Sequence, residues 1–259
     1  MIKKKAPRTV SKSIASKSVL KKTPAIKEKI IKEIIIEDPV IEKIIDTKIN
    51  LDEILDFNHN WQMSIEERAA ACYLLSKIPN KDTAIEIGSL DGGFLKILNK
   101  NFKKTYSCDI SHDRLIKSDY ENVEWVLGDS KETIPELIIK INENKEKVSF
   151  VSIDGDHTYA GVLEDINNIL KIIPQNDIAI LMHDTWNHDV RQAICATNFN
   201  RNPYVKYINT DYCSVTSICN NTMFGGFCLI LLTPEQRTED VKIIQSNDYM
   251  FLKLLNHFN

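Results

Sequence analysis

No stretch of this chain approaches the roughly 18 consecutive apolar residues of a membrane-spanning helix. Its start, MIKKKAPRTVSKS, has no hydrophobic core segment, which speaks against a secretory signal. The same segment is basic, Ser-containing and free of acid, a composition shared by organelle transit peptides and by plain solvated tails. The six cysteines, Cys72, Cys108, Cys195, Cys213, Cys219 and Cys228, show no CxxC or other zinc-ligand spacing. Several lie in apolar runs such as FCLILL, where Cys behaves as a small hydrophobe, so reduced thiols in a cytoplasmic compartment are expected. There is no internal repeat.

What is present divides the chain by charge. Residues 1–25 carry eight Lys or Arg and no acid, and the rest carries 25 basic against 36 acidic residues, a balance of -11. A basic tail over 1–25 and an acidic body are the reading, so any polyanion contact belongs to the tail. Residues 26–48 mix Ile with Lys and Glu, and Ile30, Ile31, Ile34 and Ile35 fall at helical spacing until Pro39 interrupts. This segment is expected to dock on the body, to pair with a second subunit in a homo-oligomer, or to serve as a linker, since exposed isoleucines promote association.

From residue 49 to 259 the pattern is that of one compact domain. Ser64 to Glu67 form a capping box opening a helix that Pro79 closes. Apolar strands and helical segments then alternate: TAIEIG, TYSCDI, VEWVLGD, VSFVSID and DIAILMHD read as strands, each followed by a turn or helix, and YVKYIN and GGFCLILLT follow. A last helix is expected within 245–258. Wholly apolar strands separated by helices predict an α/β fold whose mostly parallel sheet is covered on both faces. In such sheets ligands bind at the carboxyl ends of the strands.

The first strand runs into Glu86-Ile-Gly88-Ser89-Leu-Asp91-Gly92-Gly93. Glycines allow a tight turn and close approach of a ligand, and the following helix offers free N–H groups. The glycines stand four and five apart rather than in GxGxxG, which weakens a nicotinamide-dependent oxidoreductase, as does the lack of a Tyr-x-x-x-Lys relay. This acid-x-Gly-x-x-x-Gly resembles motif I of class I S-adenosylmethionine (SAM)-dependent methyltransferases, and the likeness runs over about 60–232. It implies the Rossmann-like class I fold with a seven-stranded sheet, and SAM as cofactor. It also implies that Asp109, ending the second strand, accepts from the ribose hydroxyls and that Asp129 and Ser130, after the third, lie at the adenine.

The fourth strand ends in Asp154-Gly-Asp156-His157 and the fifth in His183-Asp184-Thr185. These clusters resemble the branch of that family that methylates hydroxyls of small molecules and sugars, in several members with a divalent ion. The resemblance implies Asp154, His183 and Asp184 as metal ligands for Mg²⁺ or Mn²⁺, Asp154 also near the cofactor, and Asp156, His157 or His183 as general base. Helix capping by the carboxylates is the plainer alternative. A small-molecule or glycan acceptor is implied, a deoxyhexose such as rhamnose on a glycan or nucleotide sugar. Trp186, His188, Arg191, Tyr204, Tyr207, Tyr212, Met223 and Phe224 suit a sugar pocket and suit loop packing equally. An RNA methyltransferase is the first rival, prompted by the tail. It lacks the Asn/Asp-Pro-Pro-aromatic motif of base-amine methylation. A SAM-fold module serving only assembly is another.

Overall fold

The computed structural model describes Ile54 and residues 62–245; the expectations for 1–25, for 26–48 and for a helix within 245–258 fall outside them. The first helix, α1 (Ile65–Lys77), opens on the expected capping box, with Ser64 and Glu67 exchanging side-chain and backbone hydrogen bonds. There follow β1 (Thr83–Ile87), α2 (Gly93–Asn101), β2 (Lys104–Asp109), β3 (Val123–Leu127), α3 (Ser130–Glu143), β4 (Val148–Ile153), α4 (Tyr159–Ile169), β5 (Ile178–His183) and α5 (His188–Ala196). The chain continues through β6 (Val205–Cys213), a hairpin of β7 (Ser217–Cys219) and β8 (Thr222–Phe224), then β9 (Phe227–Leu232) and β10 (Lys242–Ile244).

Eight strands form the main sheet in the order β10-β6-β9-β5-β4-β1-β2-β3. Seven of these match the expected number; the eighth, β10, is a three-residue edge strand whose KII carried too little pattern to be read as one. Only β9 runs against its neighbours β5 and β6. The strands are buried because the helices cover both faces. Ile134, Leu137, Ile138 and Ile141 of α3 recur at i, i+3, i+4, i+7 and pack with α4 and α5 against Ile85, Tyr106, Val151 and Ile180. On the other face Leu74 and Leu75 of α1 and Phe94, Ile97 and Leu98 of α2 pack on Ala84, Phe150, Leu181 and Phe227.

The position of the functional cleft follows from the strand order. The chain builds β1, β2 and β3 outward to one side, then crosses back to lay β4 and β5 on the other side of β1. Helix-bearing connections therefore part between β1 and β4, and a crevice opens at their carboxyl ends. Parallel register sets Ile87 beside both Cys108 and Ile153, so the residues that follow these strands emerge on one rim. Among the described residues, no helix is long and apolar enough to cross a membrane.

Candidate active site

A cleft of about 1010 Å³ occupies that crevice. Glu86, Gly88, Ser89, Asp91, Gly93, Asp109, Asp129, Ser130 and Asp154 line it, as do Asp156, His157, His183 and Asp184. The expected site residues thus converge, with one exception. Gly92 is not among the lining residues; it caps α2 at φ +74°, and a Cβ there would overlap the Tyr120 hydroxyl.

The bend after β1 is shaped by close backbone approach. Gly88 has φ +83°, and a Cβ on it would overlap the Asp154 carbonyl oxygen and lie 2.9 Å from the Cα of Gly155. Asp109 at the end of β2 braces the bend: its Oδ2 accepts from the backbone N–H of Ser89 at 2.7 Å and of Leu90 at 3.1 Å. A carboxylate has about four acceptor sites, so this bracing leaves capacity for a ligand's hydroxyls. Asp129 caps α3 by accepting from Lys131 N at 2.9 Å, which aims that helix's N-terminus, with Ser130, at the same end of the cleft.

Glu86 lies beneath the bend and is 2% exposed. Ser89 Oγ donates to it and also contacts Ser107 Oγ at 2.7 Å. Burial pushes its carboxyl up to about 8, with the charges of Asp154 and Asp109 adding to the effect. The folded-state value lies above the ordinary 4.5, so the protonated form favours the fold. That contribution is full below pH 4.5 and is lost as pH rises through about 8. Glu86→Gln, which keeps the shape without the ionisation, is expected to flatten the fall in Tm between pH 5 and pH 8.5. Thermal unfolding across that range checks it; an unchanged slope contradicts it.

The reaction end of the cleft is an acid–imidazole cluster. His157 Nε2 lies 3.0 Å from Asp184 Oδ2 and 3.4 Å from Asp154 Oδ1. His183 Nδ1 lies 3.2 Å from Asp154 Oδ2 and 3.6 Å from Asp184 Oδ2, and its Nε2 donates to Glu67 Oε1 at 3.0 Å. Hydrogen bonds to Asp154 and Asp184 outweigh burial and raise His157 to about 10. Burial would lower His183, yet the Asp154 charge holds it well above the ordinary imidazole value. Burial would likewise raise Asp154, but the two imidazoles hold it at about 2. Asp184 takes a left-handed φ of +57°, and Gly225 N donates to its Oδ1 at 2.5 Å.

Asp156 stands apart from this cluster. Its two oxygens accept from Thr158 N at 2.9 Å and Thr158 Oγ1 at 2.8 Å, at the start of α4. Burial raises its carboxyl a little, and the Thr158 bonds bring it below the ordinary range. The cap of α4 is Thr158 itself, whose Oγ1 accepts from Gly161 N, so Asp156 holds the capping residue rather than capping the helix itself, and such a carboxylate is a weak base. The donors that face one another within 4.8 Å are Asp154, His157 and Asp184. His157, expected only as a candidate base, thus joins this set, and His183, the ligand the resemblance implies, stands beside it with Nδ1 3.2 Å from Asp154 Oδ2.

The acceptor end differs from expectation. Of the eight aromatic and polar residues after Asp184, only Phe224 lines the cleft, its ring edge-on to His157 with centroids 5.8 Å apart. Arg191 is buried and pairs with Asp211 at 2.8 Å, Tyr212 donates to the Ala70 carbonyl, and Trp186 and Met223 are core residues. In their place Val215, Thr216, Ser217 and Cys219 of the hairpin region and Gln62 and Met63 before α1 form the wall. Glu67 was also missed; its capping box hid that its second oxygen serves the cluster.

Comparison with known proteins adds one family. Residues 85–185 match the family described as a methyltransferase domain, a span running from β1 through both strand-end clusters. No curated protein matches the sequence. Solved structures of similar shape include a protein designated a hemolysin from Lactococcus lactis (17% identity, 71% of this chain, 92% of that one, TM-score 0.48). Others are an rRNA methylase from Streptococcus thermophilus (16% identity, 65% and 96%, TM-score 0.43) and the N-methyltransferase NodS from Bradyrhizobium japonicum with S-adenosylhomocysteine (11% identity, 71% and 96%, TM-score 0.45). Likenesses this distant do not choose among substrates.

Proposed function

We propose that this S-adenosylmethionine-dependent methyltransferase transfers its methyl group to a hydroxyl oxygen of a small sugar, a deoxyhexose being the favoured acceptor. One observation supports the choice above the others: an imidazole clamped between two carboxylates, facing the cleft beside the glycine bend. A sugar hydroxyl is a poor nucleophile and needs its proton removed as it reacts, which the imidazole does in its neutral form, populated as pH rises toward about 10. A base-amine acceptor has no comparable need.

The bend suits the cofactor because Gly88 lines the cleft at a positive φ with its backbone packed against that of Asp154, and Asp109 beside it would accept from a ribose diol. When bound, SAM supplies an electrophilic methyl carbon, whose bond to sulfur breaks as the bond to the hydroxyl oxygen forms. The chain's own residues do the rest. Asp154 and Asp184 orient His157 by accepting from its Nε2, and the hydroxyl proton moves to the other ring nitrogen, Nδ1, of the neutral imidazole. Phe224 and the 215–219 segment wall the cleft on the side of His157. Holding the reactants aligned contributes roughly 7 to 11 kcal/mol at best. Asp154, His157 and Asp184 also make a donor set that a divalent ion would fit, and with one imidazole it suits Mn²⁺ better than Mg²⁺. Such an ion would lower the pKa of a bound hydroxyl.

Lining charge supports a non-nucleic acceptor. Among the lining residues eight are Asp or Glu and only one, Lys131, is Lys or Arg, so a phosphate backbone would meet repulsion. The test is transfer of labelled methyl from SAM to a methyl rhamnoside and, separately, to total RNA. Label on the rhamnoside is expected. Label on RNA alone would overturn the reading.

A further inference from the structure

Glu67 makes more hydrogen bonds than a helix cap requires. In the capping box its Oε2 accepts from Ser64 N at 2.7 Å, which satisfies the start of α1. Its Oε1 is committed elsewhere, accepting from Gly226 N at 2.7 Å and from His183 Nε2 at 3.0 Å. Capping glutamates usually face water; this one is 3% exposed. Burying a carboxylate is costly unless it is paired and hydrogen-bonded, and here both conditions are met by groups of the cluster.

The neighbouring backbone is built for the same arrangement. Gly225 and Gly226 stand at φ +91° and +80°. A Cβ on the first would lie 2.9 Å from the Val215 carbonyl oxygen, and one on the second 2.7 Å from Thr185 Oγ1. Glycine at both positions lets consecutive amides point inward, Gly225 N to Asp184 Oδ1 and Gly226 N to Glu67 Oε1. Two acids are thereby seated beside the buried His183 ring, one from α1 and one from the end of β5. The other edge of that ring places Nδ1 in ion-pair range of Asp154 Oδ2 at 3.2 Å and Asp184 Oδ2 at 3.6 Å, without a hydrogen bond, and these two carboxylates clamp His157.

We propose that Glu67 is a positioning residue: by fixing the His183 ring it fixes Asp154 and Asp184, and through them the orientation of His157 at the cleft. The proposal rests on the methyl-transfer reading of this cluster and extends it to a residue outside the segment 85–185 that matches the family. Glu67 does not contact His157 in the structure; its effect passes through two intervening groups. A glutamate acting only as a cap would influence α1 and leave His157 untouched.

The experiment is long-range ¹H–¹⁵N correlation of the histidine rings in the full-length protein, with S-adenosylhomocysteine titrated into each sample. In the wild type a far-downfield proton on His183 Nε2 is expected. Glu67→Leu should lose it and should also shift the ring resonances of His157. Glu67→Gln keeps an acceptor for His183 but not the charge, so it should retain the downfield proton and shift His157 less, in the same direction. His157 resonances unmoved in both variants would overturn the proposal. Should Glu67→Leu fail to fold, Glu67→Gln decides by the same criterion. Absence of S-adenosylhomocysteine binding in the wild type would remove the methyl-transfer reading, while the His157 response would still judge the positioning.

Discussion

His157→Ala is expected to lower kcat by roughly 10²- to 10⁴-fold, the range for loss of a general base, while S-adenosylhomocysteine binds as it does to the wild type. The separation follows from where the side chain sits. His157 sits between Asp154 and Asp184 and against Phe224, whereas the bend at 88–93 is braced separately by Asp109. Removing the imidazole leaves the two carboxylates with His183 as their remaining shared partner. The pH profile carries the same signature. Hydrogen bonds to Asp154 and Asp184 raise His157 to about 10, so near neutrality it holds a proton and is not yet a base. The sign is then fixed: kcat/KM of the wild type should climb with pH toward about 10, and the His157→Ala residual rate should lack that climb. A variant with wild-type kcat, or with lost cofactor affinity and unchanged kcat, would remove His157 from the chemistry.

Gly88→Ala carries the largest expected structural effect. Two costs act on one methyl group. The backbone at φ +83° is one that an L-residue with a side chain adopts only under strain, and the added carbon would overlap the Asp154 carbonyl oxygen. That neighbour is backbone, at the crossing of β1 and β4, where Asp154 N donates to the Ile87 carbonyl at 2.8 Å. It cannot rotate away as a side chain would. Separating the two strand ends would disturb the parallel register on which both halves of the cleft depend. Destabilisation of about 4 kcal/mol or more is expected, a fall in Tm of roughly 10 °C for a domain of this size. Where the variant still folds, the bend is displaced from Asp154 and S-adenosylhomocysteine binding is expected to be lost.

The sheet and the glycine bend were legible because each depends on short-range pattern. Strands buried on both faces must be apolar throughout, as TAIEI and VSFVSI are, and acids just beyond strand ends fall on one rim whatever the helices do. The cluster's composition was legible for the same reason: Asp154, His157, His183 and Asp184 all follow or end adjacent parallel strands. Its internal arrangement was not. Whether His157 or His183 faces the open donor set depends on which way each ring turns, and the deciding partner, Glu67, is 116 residues from His183. In sequence it reads fully as a helix cap. The residues after Asp184 were left open between pocket and loop because aromatic and polar residues serve both alike. Arg191 proved to be matched by Asp211, and Trp186 to be packed beneath Gly225 and Gly226. The hairpin that does form the wall is short and largely exposed, with no apolar period to mark it.

Methyl transfer by this chain requires the bend at residues 88–93 to receive the nucleoside of SAM. Calorimetric titration of the wild type and of Gly88→Ala with S-adenosylhomocysteine tests this most directly. One-to-one binding to the wild type and none to the folded variant is the expected result. No heat with the wild type, or equal binding by both, would contradict it.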